Sequence, residues 1–242
     1  MPSATSSSAP TRTIRRAHDR GGSELGWLSS AHSFSFGEYH DPAHMGFRTL
    51  RVINEDRVAP GKGFGAHAHR DMEILTWVLD GAHRHGDSLG NGSVIRPFDL
   101  QRMSAGTGVV HSEWNASDTE PVHFLQIWIL PAERGLAPSY EQRSFAAGDL
   151  RNRLRLVASL GGDEGSVRVN QAAWLRVASL DAGSRVKQPL RPGAGVWLQV
   201  ARGQVRQGGD SLEAGDGMAI GGATTLEIEA VAPAEVLLFE LG

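Results

Sequence analysis

The chain has 242 residues, with 24 Lys+Arg against 27 Asp+Glu for a formal charge of -3, 30 glycines, 11 prolines and no cysteine. Without cysteine there is no disulfide, no thiolate metal site and no cysteine nucleophile. A near-neutral balance with no long basic run gives no reason to expect nucleic acid or an anionic membrane as a partner. The 40% share of AVILMFWYC residues supplies a sizeable core, and the length allows one large domain or two small ones.

The opening MPSATSSSAPTRT is small and polar. It lacks the ~7–15-residue apolar stretch of a secretory signal, and residues 1–11 read as a disordered tail. No stretch approaches the ~18 apolar residues of a membrane span, so a cytoplasmic location is expected. From Ile14 onward the apolar residues alternate over short runs: FRTLRVI (47–53), EILTWVL (73–79), FLQIWIL (124–130), VWLQV (196–200) and EVLLFEL (235–241). Each run is bounded by Gly, Pro, Asn or Asp, which predicts an all-β barrel or sandwich. The more polar stretch from Pro131 to Asn152 reads as a connection between two β units. The expected organisation is an N-terminal domain over 12–131, a connecting segment over 132–166 and a C-terminal domain over 167–242.

Internal repetition supports two copies of one unit. Gly61 to Gly81 and Gly183 to Gly203 both span twenty residues and end in an apolar strand closed by a Gly turn, and RPFDLQRMSAG is echoed by LEAGDGMAIGG.

All ten histidines lie between His18 and His123, so imidazole chemistry belongs to the first half. His67-Ala68-His69 opens onto the EILTWVL run, and side chains two apart on a strand share a face. His111-Ser112-Glu113 has the same spacing and places an imidazole beside a carboxylate. Three neutral His and one carboxylate make a mixed N/O site for a divalent first-row metal with a position open for water or substrate. Strand parity alone leaves Glu73 open as an alternative carboxylate.

Other motifs carry less. Gly86-Asp-Ser88-Leu-Gly90 has the form of a hydrolase nucleophile elbow, but Asn91-Gly92 follows where a helix is needed, so it reads as a hairpin turn. Gly61-x-Gly63-x-x-Ala66 imitates a dinucleotide fingerprint without a crossover helix. His111-x-Glu113 lacks the cysteines of a zinc deaminase. His83 and His85, beside HGDSLGN, read as rim or surface residues, and His123 as a hydrogen-bonded strand residue. Arg12, Arg15, Arg16 and Arg20 read as a solvated face, while Trp77, Trp114 and Trp128 read as core or pocket wall.

The segments GFGAHAHRDMEILTWVLDG and MSAGTGVVHSEWN look like the two motifs of the cupin superfamily, and their wording resembles the pirin family. The phrases FSFGEY (34–39), LRVINEDRV (50–58), HGDSLGN (85–91) and PSYEQRSF (138–145) fit the same family. The resemblance implies a bicupin of two tandem jelly-roll barrels. It also implies one metal, commonly iron, held by His67, His69, His111 and Glu113. A His3Glu site also accepts Ni, Mn, Co, Cu or Zn. Two departures from the general cupin pattern stand out: seven residues rather than six separate Glu73 from Gly81, and Gly106 stands where a Pro is expected. Laying Gly183 on Gly61 takes His67, His69 and Glu73 to Pro189, Arg191 and Gly195. Laying Asp216 on Asp99 takes His111 and Glu113 to Ile228 and Ala230. A C-terminal barrel without metal ligands is therefore expected.

The resemblance implies a dioxygenase that cleaves a flavonol such as quercetin with O2, with Glu113 as the catalytic acceptor of the flavonol hydroxyl proton. Neutral His ligands then predict loss of activity as pH falls through the imidazole range. The rival reading is a metal-binding, redox-responsive regulator that acts through a protein partner without turnover. An apolar cavity beside the metal discriminates the two.

Overall fold

A computed structural model describes residues 10–242. The strands are β1 (Thr11–Arg15), β2 (Gly21–Glu24), β3 (Leu28–His32), β4 (Leu50–Val58), β5 (Gly63–His69), β6 (Glu73–Asp80), β7 (His83–Asp87), β8 (Gly92–Ile95), β9 (Asp99–Ser104), β10 (Val109–Asn115), β11 (Val122–Ile129) and β12 (Ser139–Ser144). After a single helical turn, α1 (Ala147–Leu150), come β13 (Arg155–Ser159), β14 (Val167–Arg168), β15 (Ala173–Leu180), β16 (Arg185–Pro189), β17 (Gly195–Arg202), β18 (Gln204–Gln207), β19 (Asp210–Glu213), β20 (Gly217–Gly221), β21 (Thr225–Ala230) and β22 (Ala234–Leu241). Among the described residues, no helix is long and apolar enough to cross a membrane.

Each half of the chain builds a long sheet and a short one, except that β1 from the start of the chain joins the long sheet of the second half. The first half forms β12-β9-β6-β11-β4-β3-β2 and β5-β10-β7-β8, and the second forms β1-β20-β17-β22-β15-β13-β14 and β16-β21-β18-β19. The fold is all-β and has the jelly-roll pairing of a cupin. The two long sheets pack face to face. Leu75, Trp77, Leu79, Leu125 and Ile127 of one meet Leu175, Val177, Trp197, Leu237 and Phe239 of the other in one cluster. The intervening residues of the same strands point into the barrels. This is why EILTWVL and EVLLFEL read as nearly unbroken apolar runs: a sheet buried on both faces has no solvent side on which to place polar residues.

The barrel interiors differ. The C-terminal one is filled by a continuous apolar cluster that includes Val186, Leu198, Val205, Leu226, Ile228 and Leu238. The N-terminal one has two smaller clusters, around Phe124 and around Met103, and buried polar residues between them.

Several elements depart from the sequence-based boundaries. Residues 1–9 of the expected tail lie outside the described residues, and Thr11 already pairs with Gly221 as the first residue of β1. The segment 132–166 contains β12, paired with β9, and β13, paired with β15. The arginines expected on a solvated face instead fasten β1 and the turn after it. Arg15 is 6% exposed and donates to Tyr39 Oη at 2.6 Å. Arg16 donates to Asp216 Oδ2 at 2.7 Å, and Arg20 donates to Glu55 Oε2 at 2.9 Å.

The internal repeat is visible in hydrogen bonds. Gly81 and Gly203 both adopt positive φ (78° and 74°), and a Cβ at either would collide with the carbonyl oxygen of Pro121 or Pro233, respectively. Asn115 N donates to Lys62 O as Ala230 N donates to Ser184 O. With these anchors His111 and Glu113 correspond to Leu226 and Ile228, and their β5 partners His67 and His69 to Gln188 and Leu190. Plain counting gave Pro189, Arg191, Ile228 and Ala230. It missed the bulge between His111 and Glu113, opposite which β5 spends three steps, from Phe64 to His67, against two on β10, and it missed that the β9–β10 turn is two residues longer than the β20–β21 turn.

Candidate metal centre

β5 and β10 run antiparallel with His67 directly opposite His111 and His69 opposite Val109. The two-residue period turns His67 and His69 to the same side, and the barrel curvature brings His111 against them. The Nε2 atoms of His67 and His111 lie 3.0 Å apart. One donor nitrogen from each of His67, His69 and His111 lies within 4.8 Å of the others. Nitrogens bound at ~2.1 Å to one ion sit ~3–3.5 Å apart, so small side-chain adjustments bring the triad onto a divalent metal.

Protonation fits the same use. His67 Nδ1 donates to Gly65 O at 2.8 Å, which leaves the Nε2 lone pair for the centre, the arrangement that orients metal-bound imidazoles. Burial lowers the His69 pKa to about 4, helped by the neighbouring His67. Burial likewise lowers His111 to about 4 against the opposing pull of Glu113. Both rings are neutral at pH 7. His111 Nδ1 is buried without a partner among the described residues.

Glu113 is 4% exposed. His83 Nε2 donates to its Oε1 at 3.1 Å, and Gln126 Nε2 donates to Oε1 at 2.8 Å and to Oε2 at 3.0 Å. Oε2 lies 3.8 Å from His111 Nε2 and so faces the triad. Burial pushes the carboxyl upward, but the hydrogen bond and charge of His83, the charge of His111 and the Gln126 hydrogen bond outweigh it. The group is held well below the usual carboxylate range. Gln126 is oriented in turn by Thr76, whose Oγ1 donates to its Oε1 at 3.1 Å.

Glu73 takes no part in this cluster. The chain turns between His69 and Glu73, with Asp71 at φ 49°, and enters the long sheet. There Glu73 accepts from Ser104 Oγ at 2.9 Å and from Asn170 N at 3.1 Å. Gly106, in the place of the expected proline, has φ 47°, which proline cannot adopt, and a Cβ there would collide with Leu136 O.

His83 and His85, expected at the rim, are buried at 1% and 2% exposure. The turn begins only at Ser88, so both belong to β7 and pair with β10. His85 donates through Nε2 to Asp87 at 3.0 Å and stacks on Tyr140. The Gly86–Gly90 segment is the β7–β8 hairpin turn, and His123 bonds Glu55 at 2.9 Å from β11. Trp77 is core, whereas Trp128 stands edge-on to His69 with ring centroids 4.9 Å apart.

His67, His69 and Glu113 line a cavity of about 520 Å³, walled also by Trp27, Phe36, Phe64 and Trp128 and by a polar strip from β3 and β4.

Residues 12–129 match the Pirin family model, and residues 156–241 match the quercetinase C-terminal cupin domain. The quercetin 2,3-dioxygenase of Escherichia coli (strain K12) is 44% identical over 228 residues, covering 94% of this chain and 97% of that protein. The chain belongs to the pirin family. Among solved structures, bacterial pirin YhhW from Escherichia coli in complex with nickel(II) superposes with a TM-score of 0.90 at 44% identity, over 96% of this chain and 99% of the other. YhaK from the same organism gives 0.75 at 29% identity, over 89% and 95%. A quercetin 2,3-dioxygenase from Acinetobacter baumannii gives 0.72 at 21% identity over 96% and 78%, a likeness of fold alone. The pirin membership accounts for both barrels.

Proposed function

We propose that this pirin is a metal-dependent dioxygenase that cleaves a flavonol such as quercetin with O2, releasing carbon monoxide. The observation that carries the reading is the cavity. Two histidines of the triad and an ionised carboxylate open into about 520 Å³ of space walled by Trp27, Phe36, Phe64 and Trp128, a volume suited to a small flat ligand. A redox switch has no need of such a chamber. The activity named for the 44% identical Escherichia coli relative supports the same substrate class.

His67, His69, His111 and Glu113 would hold one divalent transition metal. Fe(II) is the ion implied by the family resemblance, and nickel(II) is the ion in the relative's structure. When bound, the ion supplies Lewis-acid stabilisation of an enolate-like oxygen. The chain supplies the rest. Glu113 Oε2, on the triad side, is placed to accept the hydrogen bond and then the proton of the flavonol hydroxyl. Its Oε1 stays with His83 and Gln126. Because those donors stabilise the carboxylate, Glu113 passes the proton on rather than storing it. Trp128, Phe36 and Phe64 hold the flat ring system and exclude water from it.

The test is anaerobic reconstitution with Fe(II), Ni(II), Mn(II), Co(II) or Cu(II), then aerobic incubation with quercetin while flavonol absorbance and carbon monoxide are followed. Turnover that depends on metal and disappears in His69→Ala and Glu113→Ala is the expected result. Stoichiometric metal uptake with no turnover for any ion would remove the dioxygenase reading in favour of the partner-binding regulator.

A further inference from the structure

The N-terminal barrel carries buried polar groups beyond the metal donors. Register places His32 opposite Asn54, Asn54 opposite Gln126 and Gln126 opposite Thr76. A polar row therefore crosses β3, β4, β11 and β6 on the barrel-facing side. One step along, Ser30 lies opposite Asp56. Ser30, His32, Asn54 and Asp56 are all 5% exposed or less. At Asp56, Gln126 and Thr76 the fold does not demand this polarity, whereas Asn54 falls on the buried Arg176 of the other barrel. With Gly81 laid on Gly203, Val122 falls on Ala234, and the register then takes Asp56 to Ala178, Gln126 to Leu238 and Thr76 to Leu198. Those three belong to the apolar filling of the other barrel or its margin. Burying polar side chains is unfavourable unless their hydrogen bonds are met, so the unmet ones point to a ligand.

His32 Nδ1 donates to Asn54 Oδ1 at 2.8 Å, and its Nε2 accepts from Ser23 Oγ at 3.0 Å. Ser30 Oγ donates to Asp56 Oδ1. These bonds fix both strand-β4 side chains and leave Asp56 Oδ2 and Asn54 Nδ2 without a partner among the described residues, though neither atom is sealed from the cavity. Both side chains line the same cavity as His67, His69 and Glu113. An acceptor and a donor, two residues apart on one strand face, thus look into a chamber also walled by Trp27, Phe36, Phe64 and Trp128.

We propose that Asp56 and Asn54 form a second polar anchor that binds a phenolic hydroxyl other than the one facing Glu113, so that the cavity selects hydroxylated flat aromatic molecules. The inference rests on the dioxygenase reading for its substrate class. Asp56 Oδ2 accepts from the phenol O–H and Asn54 Nδ2 donates to the phenol oxygen, while Ser30 and His32 act as positioning residues for them.

The test is anaerobic binding to the metal-loaded protein, followed by tryptophan quenching at pH 8. That is above the value near 7 to which burial, then the charges of Glu113 and Glu55, push the Asp56 carboxyl against the Ser30 bond. The probes are quercetin and 3-hydroxyflavone, which keeps the hydroxyl beside the ring ketone and lacks the others. The wild type is expected to bind quercetin about 10-fold more tightly, the worth of one or two net hydrogen bonds. Asp56→Asn keeps the Ser30 bond through its carbonyl and turns an amide N–H toward the cavity, so the affinity ratio should fall to about 1. Asn54→Ala should lower the ratio independently, which covers a failure of the first variant to fold. A wild-type ratio of about 1, or an unchanged ratio in the folded variants, overturns the anchor whether or not quercetin is turned over. Carbon monoxide release in air, measured on the same preparations, tests the dioxygenase reading separately. Discrimination that collapses in Asp56→Asn without any carbon monoxide from the wild type upholds the anchor and removes that reading. Failure of the folded, metal-loaded wild type to bind either flavonol removes both.

Discussion

Gln126 donates from one amide nitrogen to both carboxylate oxygens of Glu113, at 2.8 and 3.0 Å. With His83 on Oε1, this clamp sets the angle at which Glu113 presents Oε2 to the histidine triad. Substituting Gln126→Leu removes the clamp at similar volume and leaves the carboxylate short of a donor. Partners that orient a metal ligand are typically worth ~10–100-fold in affinity or activity, and a loss in that range is expected. Competition with a chelator measures the affinity. An unchanged metal affinity and kcat in Gln126→Leu would show that Glu113 does not depend on this bond.

The triad and the carboxylate should separate by substitution. His69→Ala removes a neutral donor from the cluster and is expected to reduce bound metal from one equivalent to near zero by elemental analysis. Glu113→Gln keeps the shape and removes the charge. It should retain part of the metal while turnover falls at least ~100-fold, the scale of a lost general base. Equal metal content and activity in wild type and His69→Ala would exclude the site.

Burial shifts the acid limb of metal binding. Ordinary imidazoles protonate near pH 6.5, but His69 and His111 hold out to about 4 in the folded protein. Metal occupancy is therefore expected to persist below pH 6 and to fail nearer pH 4–5, lower than residue type alone implies. Equilibrium dialysis across this range checks it, and a midpoint at 6.5 would contradict the burial argument.

The same groups make metal-free stability pH-dependent, with opposing signs. His69 and His111 have folded pKa values below their unfolded ones, so unfolding takes up protons there and stability falls as pH drops from about 6.5 toward 4. His32, lowered chiefly by burial, acts in the same direction. Asp56 is raised to about 7, so unfolding releases a proton and stability falls as pH rises from about 4 to 7. Between pH 5 and 6.5 Asp56 offsets one of the histidines. In Asp56→Asn the offset disappears, and the slope of unfolding free energy against pH should steepen by about 1.4 kcal/mol per pH unit. Urea unfolding of the metal-free proteins at several pH values reads this directly.

The parts of the site that follow strand parity were legible before any coordinates. His67-Ala-His69 and His111-Ser-Glu113 needed only the two-residue period to place their side chains together. What surrounds them was not legible, because it depends on which faces of a sheet are buried. Gln126 sits in FLQIWIL at a position that alternation would send to solvent, yet β11 is covered on both sides, by the other barrel and by its own. Asn54 and Asp56 in LRVINEDRV were hidden in the same way. His83-Arg-His85 carried the same H-x-H spacing as the metal pair, but the following turn residues outweighed it, and the turn starts at Ser88, three residues later than HGDSLGN suggested. The correspondence between the barrels slipped by one residue on β5 because a β-bulge leaves no mark in a residue count, and by two on β10 because the preceding turn is longer than its counterpart.

The largest apolar cluster lies between the barrels, and this predicts how the molecule unfolds. Leu75, Trp77 and Leu125 from one long sheet share it with Leu175, Trp197 and Phe239 from the other, all nearly inaccessible. Trp77 Nε1 also donates across the junction to Glu235 at 2.6 Å. Neither sheet can keep that face dry alone, so the barrels should melt as one cooperative unit, with calorimetric and van't Hoff enthalpies in agreement. Phe239→Ala, in the barrel that lacks the triad, opens a cavity in the shared layer and is expected to cost ~3–5 kcal/mol. Because the core is shared, that loss should appear equally in the release of metal from the N-terminal barrel on heating and in the global transition. Two separate transitions, with metal release unaffected by Phe239→Ala, would mean that the triad-bearing barrel is stable without its neighbour.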